Sequence, residues 1–172
     1  MYKLLKKLPN ETHYWEVWKS GRSLHFTYGV LGVSNKSEEQ PLSLFERGNK
    51  LMKRLVEEKE NQGFVQCHED KEIKVDIAYR EDAAEYETFR QASYDLQDKI
   101  NDSLLSTGIG YTEGITINES GATIYFFVAD EDLGIVAIQK ILLEQKLLNE
   151  SSVSLLQEDG NYISANTYQS KD

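Results

Sequence analysis

The chain has 172 residues, 40% hydrophobic and 28% charged, with only two prolines. That composition excludes a disordered chain and allows either one large domain or two small ones. The formal charge is −10, and the single cysteine, Cys67, excludes an internal disulfide and suits a reducing compartment.

The acidity is uneven. Residues 1–70 hold 11 Lys and Arg against 10 Asp and Glu, whereas residues 71–172 hold 8 against 19. Clustered Lys and Arg hold phosphate backbones and carboxylates repel them, so the second half is a poor grip for nucleic acid. Its charge either keeps the protein soluble or faces a basic partner.

Lysines and leucines are interleaved at the N-terminus, without the apolar core or cleavage site of a signal peptide. No run reaches the length of a membrane span, so a soluble, cytoplasmic protein with no membrane partner is expected. Over residues 14–29 the pattern alternates. Trp15 and Val17 share one face, Glu16 and Trp18 the other, and Lys19-Ser20-Gly21-Arg22 supplies a turn before Leu24, Phe26 and Tyr28. This predicts a hairpin with one apolar face.

Ser34-Asn35-Lys36 predicts a second turn and residues 37–40 a short polar strand. Pro41 opens the approach to a helix bearing Leu44, Gly48, Leu51, Leu55 and Lys59 at spacings of three or four, widened by Phe45 and Met52 and stopping near Gly63. The charged stretch over residues 66–72 predicts a connector, and the expected domains are residues 1–68 and 73–172.

In the second half Ile73, Val75, Ile77 and Tyr79 predict a strand buried on one face. Residues 81–106 predict a long helix with Phe89, Ala92, Leu96, Ile100 and Leu104 on one side and Thr107-Gly108 as its C-cap. Two strands follow, reversing at Asn118-Glu119-Ser120-Gly121. Asp130 is placed to cap a helix carrying Leu133, Ala137, Ile141 and Leu148 inward. Residues 152–156 and 162–168 predict the last strands, turned at Glu158-Asp159-Gly160-Asn161. The order strand, helix, strand, strand, helix, strand, with one extra terminal strand, predicts a ferredoxin-like α+β sandwich.

Tyr28-Gly29-Val30, then Leu31-Gly32, Lys59 and Gly63-Phe64, with the early aromatic strand Tyr14-Trp15-Glu16-Val17, stand in an order that resembles the WGR domain over residues 10–66. WGR domains occur in poly(ADP-ribose) polymerases and in assorted bacterial proteins. The resemblance implies an antiparallel sheet crossed by one helix, and a non-enzymatic module that helps bind DNA ends and relays that event to a neighbouring domain. Tyr28 replaces the family's Trp and Val30 its Arg. Val30 can neither stack on bases nor hold a phosphate through two hydrogen bonds. The second half is more loosely similar to small bacterial ferredoxin-like domains of unknown role, which implies a fold only.

Chemistry is sparse. Cys67 and His68 are adjacent and point apart in an extended connector; His13 and His25 are isolated. Asp130-Glu131-Asp132 lacks the ligand spacing of an EF-hand loop and His68-Glu69-Asp70 that of a zinc protease. Thr107-Gly108-Ile109-Gly110 contains a lone GxG that follows a helix, the reverse of a dinucleotide-binding turn. Asp76, Glu113, Glu119 and Asp159 are carboxylates with no spacing that brings them together. No catalytic, metal or cofactor site is expected.

Two functions remain open. One is a non-enzymatic interaction or regulatory module, with Trp18 and Tyr28 as contact residues and a protein partner that the acidic half would steer if that partner is basic. The other is a nucleic-acid-binding module using Lys19, Arg22, Lys50, Lys53 and Arg54. An enzyme is the third alternative, and it requires a pocket with converging carboxylates or a histidine.

Overall fold

A computed structural model describes residues 1–43, 47–68, 71–80 and 85–165. The described residues form three helices and two five-stranded antiparallel sheets, a mixed α+β architecture. The chain divides into two compact units, Met1–His68 with Ser106–Gly108, and Glu69–Leu105 with Ile109–Asp172.

In the first unit β1 (Tyr2–Lys7), β2 (Thr12–Ser20), β3 (Ser23–Val30) and β4 (Ser34–Pro41) form a meander. The helix α1 (Gly48–Asn61) then returns the chain, so that β5 (Val65–Gln66) pairs with β1 in the order β4-β3-β2-β1-β5. The expected β2–β3 hairpin forms, with Ser20 opposite Ser23. Strand β1 was not anticipated: in it Leu4 is buried with Trp15, Val17, Leu24, Leu51, Met52 and Val56 in one core beneath α1.

Three local expectations change in this unit. The β3–β4 reversal is Leu31-Gly32-Val33, not Ser34-Asn35-Lys36, which lie within β4. Gly32 adopts φ 79°, a left-handed conformation that suits glycine and closes the chain in three residues. The hairpin also buries more than one face. Tyr14 and Thr27 are buried on the side away from the α1 core, as is Lys3, which pairs with Glu16. Helix α1 buries Gly48, Leu51, Met52 and Val56, with Leu55 half-buried beside them; Leu44 and Phe45 lie outside the described residues.

The second unit runs β6 (Lys71–Ala78), α2 (Tyr86–Ser106), β7 (Gly110–Asn118), β8 (Gly121–Val128), α3 (Glu131–Glu144), β9 (Ser151–Leu156) and β10 (Tyr162–Ser164), with the sheet ordered β10-β9-β6-β8-β7. Ile73, Val75 and Ile77 of β6, and Ile124, Phe126 and Val128 of β8, meet Leu96, Ile100 and Leu104 of α2 and Ile135, Ile138 and Leu142 of α3 in one core. Gly134 lets α3 approach closely, because a Cβ there would lie 2.9 Å from Ile73 and Val128 side chains.

The α2 stripe forms at Leu96, Ile100 and Leu104, with Phe89 packed against the core, and differs at one position, whereas the α3 stripe is offset except at Ile141. On α2 the buried position is Ser93 rather than Ala92, and its hydroxyl donates to the Phe89 carbonyl at 2.9 Å. On α3 Leu133, Ala137 and Leu148 are half-buried flanks, and Leu148 lies beyond the helix end. The expected caps form: Leu133 N–H donates to Asp130 Oδ1 at 3.1 Å, and Ile109 N–H reaches Leu104 O beyond Gly108 at φ 69°. The predicted helix start at residues 81–84 and the strand end at 166–168 lie outside the described residues, as do Glu69 and Asp70 of the connector.

Candidate functional site

An open groove of about 620 Å³ runs along the α1 side of the first unit. Trp15 comes from β2 and Phe26, Tyr28 and Val30 from β3, all on the face that alternation turns toward α1. Lys36, Glu38 and Gln40 of the edge strand β4 extend the floor. Leu55, Glu58 and Lys59 of α1, with Gln62 and Phe64 just beyond it, form the wall.

Its polar groups hold fixed positions. Lys59 Nζ lies 5.6 Å from the Trp15 ring centroid and 5.4 Å from that of Phe64, both within cation–π range. Gly63 at φ 87° folds the chain back so that Phe64 N–H bonds the Lys59 carbonyl at 3.1 Å. Lys6 donates to the Gln62 carbonyl at 2.8 Å and lies 5.9 Å from the Phe64 centroid. Trp15 packs on Phe26 with centroids 5.9 Å apart. Tyr28 donates to Glu38, and that hydrogen bond, with smaller effects of desolvation and the Glu38 charge, holds the phenol above its ordinary pKa.

The two predicted contact residues separate. Tyr28 lines the groove, whereas Trp18 stands on the opposite face of the sheet, stacked on His25 with centroids 5.5 Å apart. Pleating accounts for this, since Trp15 opposite Tyr28 and Trp18 opposite His25 are an odd number of residues apart. Phe26, Leu55, Lys36 and Glu38, none of them expected as contact residues, also line the groove. The one sequence signal for it was the order of Trp15, Lys59 and Phe64.

The predicted basic residues divide as well. Lys19, Lys50 and Lys53 surround a second cavity of about 570 Å³ with Arg47, Gly48 and Asn49 at the start of α1. The first turn of α1 carries no acidic residue. Arg54 is instead 3.5 Å from Glu58, and Arg22 sits in the β2–β3 turn, outside that cavity's lining.

The carboxylates lie apart along the second unit. Asp76 is held by Lys74 at 3.0 Å and by Thr123 at 2.7 Å on β6. Glu113 sits at the β7 irregularity and Glu119 in the β7–β8 reversal. Asp159 accepts from Asn161 in the last turn, which lowers its pKa. The lone GxG serves the backbone: Gly108 ends α2, and a Cβ on Gly110 would lie 2.0 Å from the Phe127 carbonyl oxygen. Among the described residues no three His, Cys, Asp or Glu side chains are grouped to hold a metal ion, and no helix is long and apolar enough to cross a membrane. The helix-free face of the second sheet carries aromatics, with Tyr111 and Phe127 centroids 6.0 Å apart and Lys74 4.6 Å from the Tyr162 centroid.

Comparison with known proteins finds no matching family model, no matching curated protein and no matching solved structure.

Proposed function

We propose that the protein is a non-enzymatic binding module whose α1–β4 groove receives a side chain or segment of a partner protein. The observation that carries this is the half-exposed aromatic floor of Phe26 and Tyr28 beside Trp15, with Lys59 held over it and room for a ligand left open. Aromatic floors with a few placed polar groups are the usual anatomy of a recognition pocket. The acidic second half steers basic partners toward the molecule.

The architecture fits a WGR-like first unit, in which Trp15, Lys59 and Phe64 meet through the helix crossing. For the second unit, the order β9-β6-β8-β7 places its fourth, first, third and second strands side by side, as in a ferredoxin-like sandwich, with β10 added at the edge. Affinity capture with the full chain and with Lys59→Glu tests the groove. A protein whose retention falls at least about tenfold with the variant supports the reading. An identical partner set for both chains sinks it.

A second reading is nucleic-acid binding at the basic cavity. It is favoured by the convergence of Lys19, Arg47, Lys50 and Lys53 at a helix N-terminus lacking acidic side chains. Fluorescence anisotropy on short duplexes with free ends decides it. Binding that weakens with salt, each lost phosphate contact flattening the log–log slope by about 0.9, and that falls in Lys50→Ala and Lys53→Ala, establishes that reading. No binding at low salt removes it.

A further inference from the structure

Strand β4 is the one long, regular, unpaired edge among the described strands. All eight of its residues, Ser34–Pro41, are exposed, and its pairing to β3 runs without a register shift. The other edges are short or broken. Strand β5 has two residues and β10 three, while β7 is interrupted between Thr112 and Gly114. A full-length edge leaves a row of backbone donors and acceptors available to another strand.

We infer that β4 pairs antiparallel with β4 of a second copy of this chain, with Ser37 opposite Ser37 and Lys36 opposite Glu38 in both directions. Even-numbered β4 residues stand on the α1 face of the sheet, since Lys36 is opposite Tyr28 and Glu38 opposite Phe26. Directly opposed residues of an antiparallel pair share a face, so pairing even with even keeps both helices on one side of a continuous sheet.

Of such registers, the one centred on Ser37 sets opposite charges against each other twice. Centring on Glu38 would oppose Glu38 to itself, and centring on Lys36 would do the same for the lysine. The Ser37-centred register also pairs residues 34–40 and leaves Pro41, which has no N–H to donate, outside the ladder. Lys36 makes no ion pair or side-chain hydrogen bond among the described residues. Glu38 accepts from Tyr28 through Oε1, which leaves Oε2 for the lysine of the second copy. The two α1–β4 grooves then adjoin across the symmetry axis.

Sedimentation velocity on the full chain, from micromolar to millimolar concentration, reads the association. The expected result is a reversible dimer, weakened about tenfold or more by Lys36→Glu or by Glu38→Lys alone, because each reversal opposes like charges twice. It is restored by the double variant and by an equimolar mixture of the two single variants, in which every pair is again opposite in sign. Glu39→Lys, on the other face, leaves it intact. Ser37→Cys crosslinks to itself on oxidation, while the parent chain, carrying only Cys67, does not.

A monomer at every concentration overturns the inference and leaves the edge to an extended segment of a different protein. A dimer indifferent to both charge reversals, or one broken by Glu39→Lys alone, overturns it too, the latter by showing that the contact is made through the sheet face away from α1.

Discussion

Tyr14 is 1% exposed, and its hydroxyl has no hydrogen-bond partner among the described residues. Desolvation, with a smaller contribution from the Glu16 charge, pushes the phenol from 10 up to about 12. A folded-state pKa above the unfolded one contributes stability that is complete below pH 10 and lost as pH rises toward 12. Tyr14→Phe therefore unfolds no more easily than the parent at neutral pH, with a gain of up to about 1 kcal/mol. It also loses the share of the alkaline decline that comes from Tyr14, so its stability falls less between neutral and strongly alkaline pH, which urea titrations measure. A steeper decline in the variant would refute this. Lys3, 3% exposed at its side chain, lies 2.8 Å from Glu16 and donates to the Gly108 carbonyl at 2.5 Å. Lys3→Met strands the Glu16 charge and costs about 3 kcal/mol, much of it recovered in Lys3→Met/Glu16→Leu; an additive double variant would contradict that coupling. Neither burial was legible, because Tyr14 shares its face of β2 with Glu16 and Trp18, and Lys3 and Glu16 are charged, a pattern that looks like a solvated face.

Local chemistry was legible in the elements. Asp130 caps α3 through Leu133 N–H, and Asp130→Ala should cost about 1 kcal/mol in thermal or denaturant unfolding. An unchanged midpoint would show that the cap is dispensable. Gly29 has a different constraint: a Cβ there would lie 2.1 Å from the Ser34 carbonyl oxygen on β4. Gly29→Ala must push β3 and β4 apart, at about 1–3 kcal/mol, with faster amide hydrogen exchange concentrated in β4. Uniform acceleration across both units would argue against a local clash. The β3–β4 turn was misplaced because Ser34-Asn35-Lys36 has turn composition, whereas the actual turn contains the apolar Leu31 and Val33. Leu31 is buried, and only Gly32 carries the left-handed signal.

For the whole molecule, charge is the property read most directly. The second half holds 19 acidic against 8 basic residues, so self-repulsion there opposes its compact state. Raising ionic strength from low to moderate should lift the melting temperature by a few degrees, about 2–4 °C, by screening that repulsion. A fall would mean that favourable surface pairs outweigh it. Strand order was less direct. The alternation of strands and helices was readable, but the position of β6 between β8 and β9 depends on crossovers that no local pattern encodes.

The sequence by itself determined all three helices and most of the strands, where caps and several reversals fall, and how charge divides, because each depends on residues within a few positions of one another. Only the tertiary structure decided that β1 and β5 complete the first sheet, and that Lys59 and Phe64 meet Trp15. It alone placed Trp18 and Tyr28 on opposite faces and left β4 as an open edge. Those outcomes depend on which distant strands exchange hydrogen bonds and which faces exclude water, and both are set by the packed chain as a whole.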